Sequence, residues 1–226
     1  MTHIAFASSR DIRRSESMLL VEEITHRVVN EYSVAIASIR LAATRTSDPN
    51  AQATLCQLAA RLQASAEAHR ALQPPTFVGD YDLGQYLEQV CAALVASSLS
   101  DRGVRLTLLQ DIIPMAPQRC WRVGLIVAEL VGNAVKHGAK GDGGLIMVRV
   151  STDGRDVRCQ VADNGGSLPN PAASRGRRLV IRLAEDLRGS IDWRFQSGGV
   201  SALLVFPMAN NPTGHFESKV FDNSTC

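Results

Sequence analysis

The chain has 226 residues, 45% of them hydrophobic and 20% charged, which is the balance of a globular protein with one large or two small domains. A formal net charge of +2, with Lys and Arg scattered rather than clustered, gives no support for nucleic-acid binding. No apolar run approaches the ~20 residues that span a bilayer. The five cysteines, Cys56, Cys91, Cys120, Cys159 and Cys226, are far apart, odd in number and without metal-ligand pairing. They read as reduced thiols of a cytoplasmic protein with no membrane or sensor segment of its own.

Residues before about Ser15 are polar and weakly patterned, a lead-in to a first helix predicted from Arg10 or Ser15 to Thr46. Within it Val21, Thr25, Val28, Tyr32, Ala35, Ile39 and Ala42 recur at spacings of four and three, the seam of a helical bundle. His26 follows the seam residue Thr25 and so falls at the edge of the stripe. Glu22 and Glu23 stand one turn earlier on the same side. A carboxylate there could hold one ring nitrogen and leave the other free as a nucleophile, although a solvated helix face carries the same residue types.

Ser47-Asp48-Pro49 predicts a turn with Asp48 as N-cap and Pro49 in the first helical turn. A second helix follows to about Leu72, with Leu55, Leu58, Leu62, Ser65, His69 and Leu72 on its seam. His69 is there expected to be a packed core histidine. Two helices joined by a short turn form an antiparallel hairpin with more apolar surface than it can bury, so a second copy is expected to complete a four-helix bundle as a homodimer. Pro74-Pro75 ends this unit, residues 10–76, and Thr76 to Asp82 is a linker.

From Leu83 the pattern becomes mixed. Helices are predicted over Gly84 to Ser98, Pro117 to His137 and Arg178 to Arg188. Strands are predicted over Val104 to Leu109, Leu145 to Val150, Val157 to Ala162, Ile191 to Phe195 and Val200 to Phe206. The fold class is therefore α+β: the helical hairpin, then residues 77–208 as an α/β sandwich with a largely antiparallel sheet and helices on one face. Residues 209–226 are polar, with Pro212 and Gly214, and are expected to form a flexible tail.

Two segments of the second domain carry chemistry. On the helix after Pro117, Glu129, Asn133, Lys136 and His137 fall away from the apolar stripe of Val123, Val127, Leu130, Val131 and Ala134. Asn133 could ligate Mg²⁺, Glu129 could orient a water or metal ligand, and Lys136 and His137 could meet phosphate oxygens. About 30 residues later comes Asp163-Asn164-Gly165-Gly166. Its carboxylate could accept a hydrogen bond from an exocyclic amine such as that of adenine, and its glycines allow close approach to a flat ligand. A solvated helix face and a common Asp-Asn-Gly turn would look similar.

Taken together, Leu19 to Met208 resemble the transmitter module of bacterial sensor histidine kinases. His26-Arg27-Val28-Val29-Asn30 is similar to the His-Arg-Val-Lys-Asn phosphoacceptor signature of one subclass, with Glu23 three residues upstream. Ala68-His69-Arg70-Ala71-Leu72 and Tyr86-Leu87 match further features of that subclass. The run from Glu129 to Gly138 is similar to the asparagine box of the gyrase and kinase type (GHKL) ATP-binding fold, and Asp163-Asn164-Gly165 resembles its first glycine box. The chain departs from the pattern at Val29, where the subclass has lysine, and at Ser167, where it has glycine. The second glycine box, usually Gly-Leu-Gly-Leu, reads Ser174-Arg175-Gly176-Arg177, and only four residues separate Pro169 from Ser174 where a longer lid is usual.

The resemblance implies a two-component kinase that takes ATP and Mg²⁺ and phosphorylates His26. Glu23 would orient the ring and Asn30 would position the incoming group. Glu129, Asn133, Lys136, His137, Asp163, Gly165 and Gly176 would surround the nucleotide, with Asn133 on the metal. A response-regulator receiver domain and a separate sensor protein are the implied partners, with no nucleic acid. The short lid and altered second glycine box keep two other readings open. One is a histidine phosphotransferase or receiver phosphatase with a degenerate nucleotide domain, and the other is a non-enzymatic dimeric scaffold.

Overall fold

The computed structural model describes residues 9–74, 79–99, 102–138, 143–166 and 175–208, and for 9–26 and 137–138 it describes the backbone alone. Helix α1 (Ser9–Arg45) and helix α2 (Pro49–Ala71) form the expected antiparallel hairpin. The Asp48 side chain accepts the Asn50 amide at 2.9 Å, satisfying one of the orphan N–H groups of the first turn. Pro49 begins the helix, where its missing donor costs nothing.

The seam lies one residue further round α1 than the periodicity predicts. Val29, Ile36 and Ala43 are buried against Ala59 and Ala66 of α2, while Val28, Tyr32 and Ile39 are half-buried and Ala35 and Ala42 are exposed. One residue turns a helix by ~100°, and apolar residues on both sides of the stripe let the pairing settle on the line where small alanines of α2 permit close approach. The packed histidine expected at His69 is also corrected. His69 is exposed, with its ring against Tyr32 at 5.5 Å between centroids.

The second unit begins with β1 (Tyr81–Asp82), α3 (Leu83–Leu94) and a π-helical turn, Val95–Leu99. After β2 (Arg105–Gln110), β3 (Pro114–Met115) pairs with β1 as a two-residue ribbon that the sequence does not announce. Next come α4 (Pro117–Asn133), a π turn Ala134–Gly138, β4 (Leu145–Thr152), β5 (Asp156–Asp163), α5 (Arg175–Asp186), β6 (Ser190–Gln196) and β7 (Gly199–Pro207). The sheet order is β2-β4-β5-β7-β6. Only the β2–β4 pair is parallel, as its crossover through α4 allows, and the other three pairs are antiparallel.

Alternation along the central strands decides which face is covered. Ile146, Val148 and Val150, then Val157, Cys159 and Val161, then Ala202, Leu204 and Phe206 point to one side. There they meet Leu87 and Val90 of α3, Val123, Ile126 and Val127 of α4, and Val180 and Leu183 of α5. Each such side chain contributes about 1.5–3 kcal/mol on full burial. Asp82 organises the entrance to this domain. Its carboxylate caps α3 through Gly84 and Gln85 and also accepts the Ile113 amide at 2.7 Å.

Arg119 closes the far end. It is 5% exposed, donates to the carbonyls of Pro207 and Met208, and lies over the Phe206 ring at 5.2 Å. The hairpin meets the domain where α2 ends. The Tyr86 hydroxyl donates to Ala71 O at 3.1 Å, and Trp121 Nε1 donates to Leu72 O at 2.9 Å. Among the described residues no helix is long and apolar enough to cross a membrane.

Candidate nucleotide site

The C-terminal half of α4, the end of β5 and the start of α5 converge on one cavity of about 400 Å³. Helix α4 supplies Glu129 and Asn133, four residues apart and therefore on one side. Asn133 Nδ2 donates to Glu129 Oε1 at 3.2 Å, which leaves the amide oxygen of Asn133 as an acceptor. Lys136 lines the same cavity from the π turn that follows. The α-helical register that Lys136 and His137 were expected to share with Glu129 ends at Asn133, and the His137 side chain lies outside the described residues.

Strand β5 carries Asp163 to the opposite wall. Its Oδ1 accepts the Gly165 amide at 2.9 Å, a local turn that fixes the carboxyl group, and its Oδ2 has no protein partner among the described residues. Asn164 is structural: Oδ1 accepts the Leu145 amide at 2.7 Å and Nδ2 donates to Gly143 O at 2.8 Å, tying the turn to the start of β4. Gly165 shapes the turn, whereas Gly166 lines the cavity. Gly199, with φ +137°, closes the β6–β7 hairpin against this wall, where a Cβ would fall 1.8 Å from the Asp163 carbonyl. No side chain fits there.

Helix α5 starts at Arg175, three residues earlier than expected, so Arg175, Gly176 and Arg177 form its first turn. All three line the cavity. A Cβ on Gly176 would lie 1.7 Å from Glu129 Oε1. The glycine retained in an otherwise altered box is therefore what lets α5 approach the acid–amide pair. Arg177 lies over Trp193, with Cζ 4.5 Å from the ring centroid, and 6.0 Å from that of Phe195.

The aromatic wall of Trp193 and Phe195, with Val200 and Ala202 beside it, was not picked out from the sequence. The signal available was an aromatic pair at i and i+2 in one strand, which places both rings on one sheet face. The cavity is thus mainly apolar, with an acceptor at one wall, an oxygen donor pair at another and cations at its rim. That is the composition of a small-molecule site able to take a flat base and an anionic tail. Among the described residues no group of three His, Cys, Asp or Glu could hold a metal by itself. A divalent ion of the magnesium type would fit as a guest of the ligand's own oxygens plus the Asn133 amide oxygen.

On the hairpin, His26 stands in α1 three residues before the buried Val29, and its side chain and those of Glu22 and Glu23 lie outside the described residues. Asn30 is exposed. The shortened lid, within 167–174, and the tail, 209–226, also lie outside the described residues.

Residues 23–98 match the family model described as histidine kinase, and residues 86–189 match that of the histidine kinase-like ATPase domain. The sensor histidine kinase PdtaS of Mycolicibacterium smegmatis is 25% identical over 218 residues, which cover 90% of this chain and 44% of the relative. Blue-light-activated histidine kinase 1 of Erythrobacter litoralis is 26% identical over 196 residues, 84% of this chain and 53% of the relative. The chain thus spans about half the length of these curated relatives. The solved histidine kinase domain of an Erythrobacter litoralis blue-light activated kinase superposes with a TM-score of 0.55 at 20% identity, covering 79% of this chain and 96% of that one. Together the two matches run from residue 23 to residue 189, so this stretch carries a histidine kinase domain followed by a histidine kinase-like ATPase domain.

Proposed function

We propose that this chain binds ATP in the cavity between α4, β5 and α5 and transfers its γ-phosphoryl group to His26. The observation that carries the proposal is the convergence of Glu129, Asn133 and Asp163, from elements far apart in the chain, on a single cavity of about 400 Å³. Asp163 Oδ2 would accept the exocyclic amine of adenine. Gly165 holds the turn that aims it, and Gly176 keeps α5 close to Glu129. Lys136 and His137 would face the phosphate chain, and Asn133 would hold a Mg²⁺ ion that neutralises phosphate charge.

In the transfer, an unprotonated ring nitrogen of His26 attacks the γ-phosphorus and the bond to the ADP oxygen breaks, so ADP leaves and phosphohistidine forms. Glu23 would accept the proton-bearing ring nitrogen and keep the attacking one unprotonated. Glu129 would order the acid–amide end of the cavity, and Asn30, exposed one turn beyond His26, would contact the incoming group. The phosphoryl group then passes to an aspartate of a receiver domain in a response regulator. ATP supply suits a reaction in the cytoplasm.

Dimerisation through the hairpin is supported by apolar side chains that its own helices leave uncovered, Val34 at 68%, Leu41 at 51% and Leu58 at 45% exposed. Incubation with labelled ATP and Mg²⁺ should give acid-labile, base-stable label that His26→Gln removes. Label that persists in that variant sinks the assignment. A second reading has one observation in its favour: Arg177, where the resemblance expects an apolar residue, lines the cavity and lies over Trp193. A chain in which that side chain kept the nucleotide out would relay phosphoryl groups through His26 without using ATP. Micromolar binding of an ATP analogue that Asp163→Ala abolishes would exclude it.

A further inference from the structure

We propose that Phe195 sets the size of base that the cavity accepts, by packing against the second ring of a purine whose exocyclic amine is held at Asp163. This deepens the ATP-binding reading and rests on it. Three observations carry it, and the first is strand register. Ala162 pairs with Ser201, and Val200 pairs with Phe195. One step further along β5, Asp163, Val200 and Phe195 therefore stand in one row across three strands, and all three line the cavity. Val161, Ala202 and Trp193 form the next row on the same sheet face.

Distance is the second observation. Asp163 and Phe195 lie on strands two spacings apart, ~9.5 Å. A hydrogen bond of about 2.9 Å from the amine to the Asp163 carboxylate leaves roughly 6–7 Å to the column of Phe195. One six-membered ring stops short of that, and two fused rings reach it across the apolar Val200. Availability is the third. Of the two aromatic side chains lining the cavity, Trp193 already carries the Arg177 guanidinium over its ring at 4.5 Å. Phe195 is 36% exposed, and the same guanidinium is 6.0 Å from its centroid. Its ring is the aromatic surface that a ligand can still cover, face to face or edge to face.

The bland alternative is that Phe195 merely shields Trp193 and the β6–β7 hairpin from water. The two differ in what they predict for different bases. A shield shapes the cavity for every ligand, so its loss weakens all of them alike. A contact at the far end of the base serves only a base long enough to reach it. Cytosine separates the two, because it carries an exocyclic amine as adenine does, but on one ring.

The test titrates the full chain by calorimetry with the β,γ-imido analogues of ATP and CTP, which cannot be turned over, and with inorganic tripolyphosphate. The ATP analogue should bind about fivefold or more tighter than the CTP analogue, the scale of one aromatic contact. Phe195→Ala should weaken the ATP analogue by about that factor and leave the CTP analogue and tripolyphosphate within about twofold, so that the preference disappears. Unchanged tripolyphosphate binding also reports an intact fold. Phe195→Tyr should keep the preference, because the ring remains. A wild-type chain that binds the two analogues equally, ATP-analogue binding that Phe195→Ala leaves untouched, or losses equal for all three ligands overturns the assignment while the nucleotide site stands. A wild-type chain that binds neither analogue overturns both.

Discussion

The hairpin and the α/β domain are stabilised in different ways. In the α/β domain the sheet is covered by three helices, and the largest fully buried side chains, Leu83, Leu87, Ile126, Leu204 and Phe206 among them, all lie there. In the hairpin the buried line is Val29, Ile36, Ala43, Ala59 and Ala66, with Val34, Leu41 and Leu58 left open. One region closes on itself. The other brings two helices together through small residues and keeps apolar surface for a further element. The difference lies in burial: the sheet domain covers its large apolar side chains, and the hairpin leaves several of its own exposed.

The largest effect expected from breaking this contrast is in the self-contained region. Phe206→Ala removes a ring that is 1% exposed and underlies Arg119, and should cost about 3–5 kcal/mol in urea unfolding followed by tryptophan fluorescence. If helicity of the hairpin is lost in the same transition, the two regions form one cooperative unit. Gly176→Val comes next. Its side chain meets Glu129 Oε1, so α5 must retreat, at a cost of about 1–3 kcal/mol and with loss of ATP-analogue binding.

Replacing both Val34 and Leu41 with Asp sharpens the other half. The α/β transition should move by less than ~0.5 kcal/mol, because neither residue reaches that core, while light scattering should show a dimer converted to monomer. The smallest effect is chemical. Burial pushes the thiols of Cys91, Cys120 and Cys159 up to about 12, so raising the pH to mildly alkaline values leaves them protonated. Exposed Cys56 should alkylate while those three do not, as peptide mapping by mass spectrometry would show. Equal labelling of Cys159 would mean that the core opens on the timescale of the reaction.

Most elements were legible because their signals are local. Asp48-Pro49 specifies a helix start through two atoms' hydrogen bonding, and β4 and β5 alternate cleanly. The meeting of Asn133 with Asp163 was legible from their order across two strands. What failed depended on partners distant in the chain. The α1 seam settled on Val29, Ile36 and Ala43 because α2 offers Ala59 and Ala66, and periodicity alone cannot choose between adjacent lines of apolar residues.

His69 sat on a regular seam and came out exposed for the same reason. The β1–β3 ribbon is two residues long, too short to show any period. The aromatic wall of Trp193 and Phe195 looks like any covered face of a strand until α5 brings Arg177 over it. That Arg175, Gly176 and Arg177 lie in α5 goes with the fit of Gly176 against Glu129, which no local pattern encodes.

The junction at the end of α2 has a mechanical consequence. Ala71 and Leu72 present carbonyls that a helix end leaves without intrahelical donors, and the Tyr86 hydroxyl and Trp121 indole fill that vacancy from the neighbouring domain. Burial holds the Tyr86 phenol well above its ordinary pKa, so it remains a donor throughout the physiological range. Two neutral bonds of about 1 kcal/mol each would leave the joint undone roughly 3% of the time on their own. Ala71 and Leu72 also pack against the core of the domain, so the joint is held by apolar contact as well as by the two bonds.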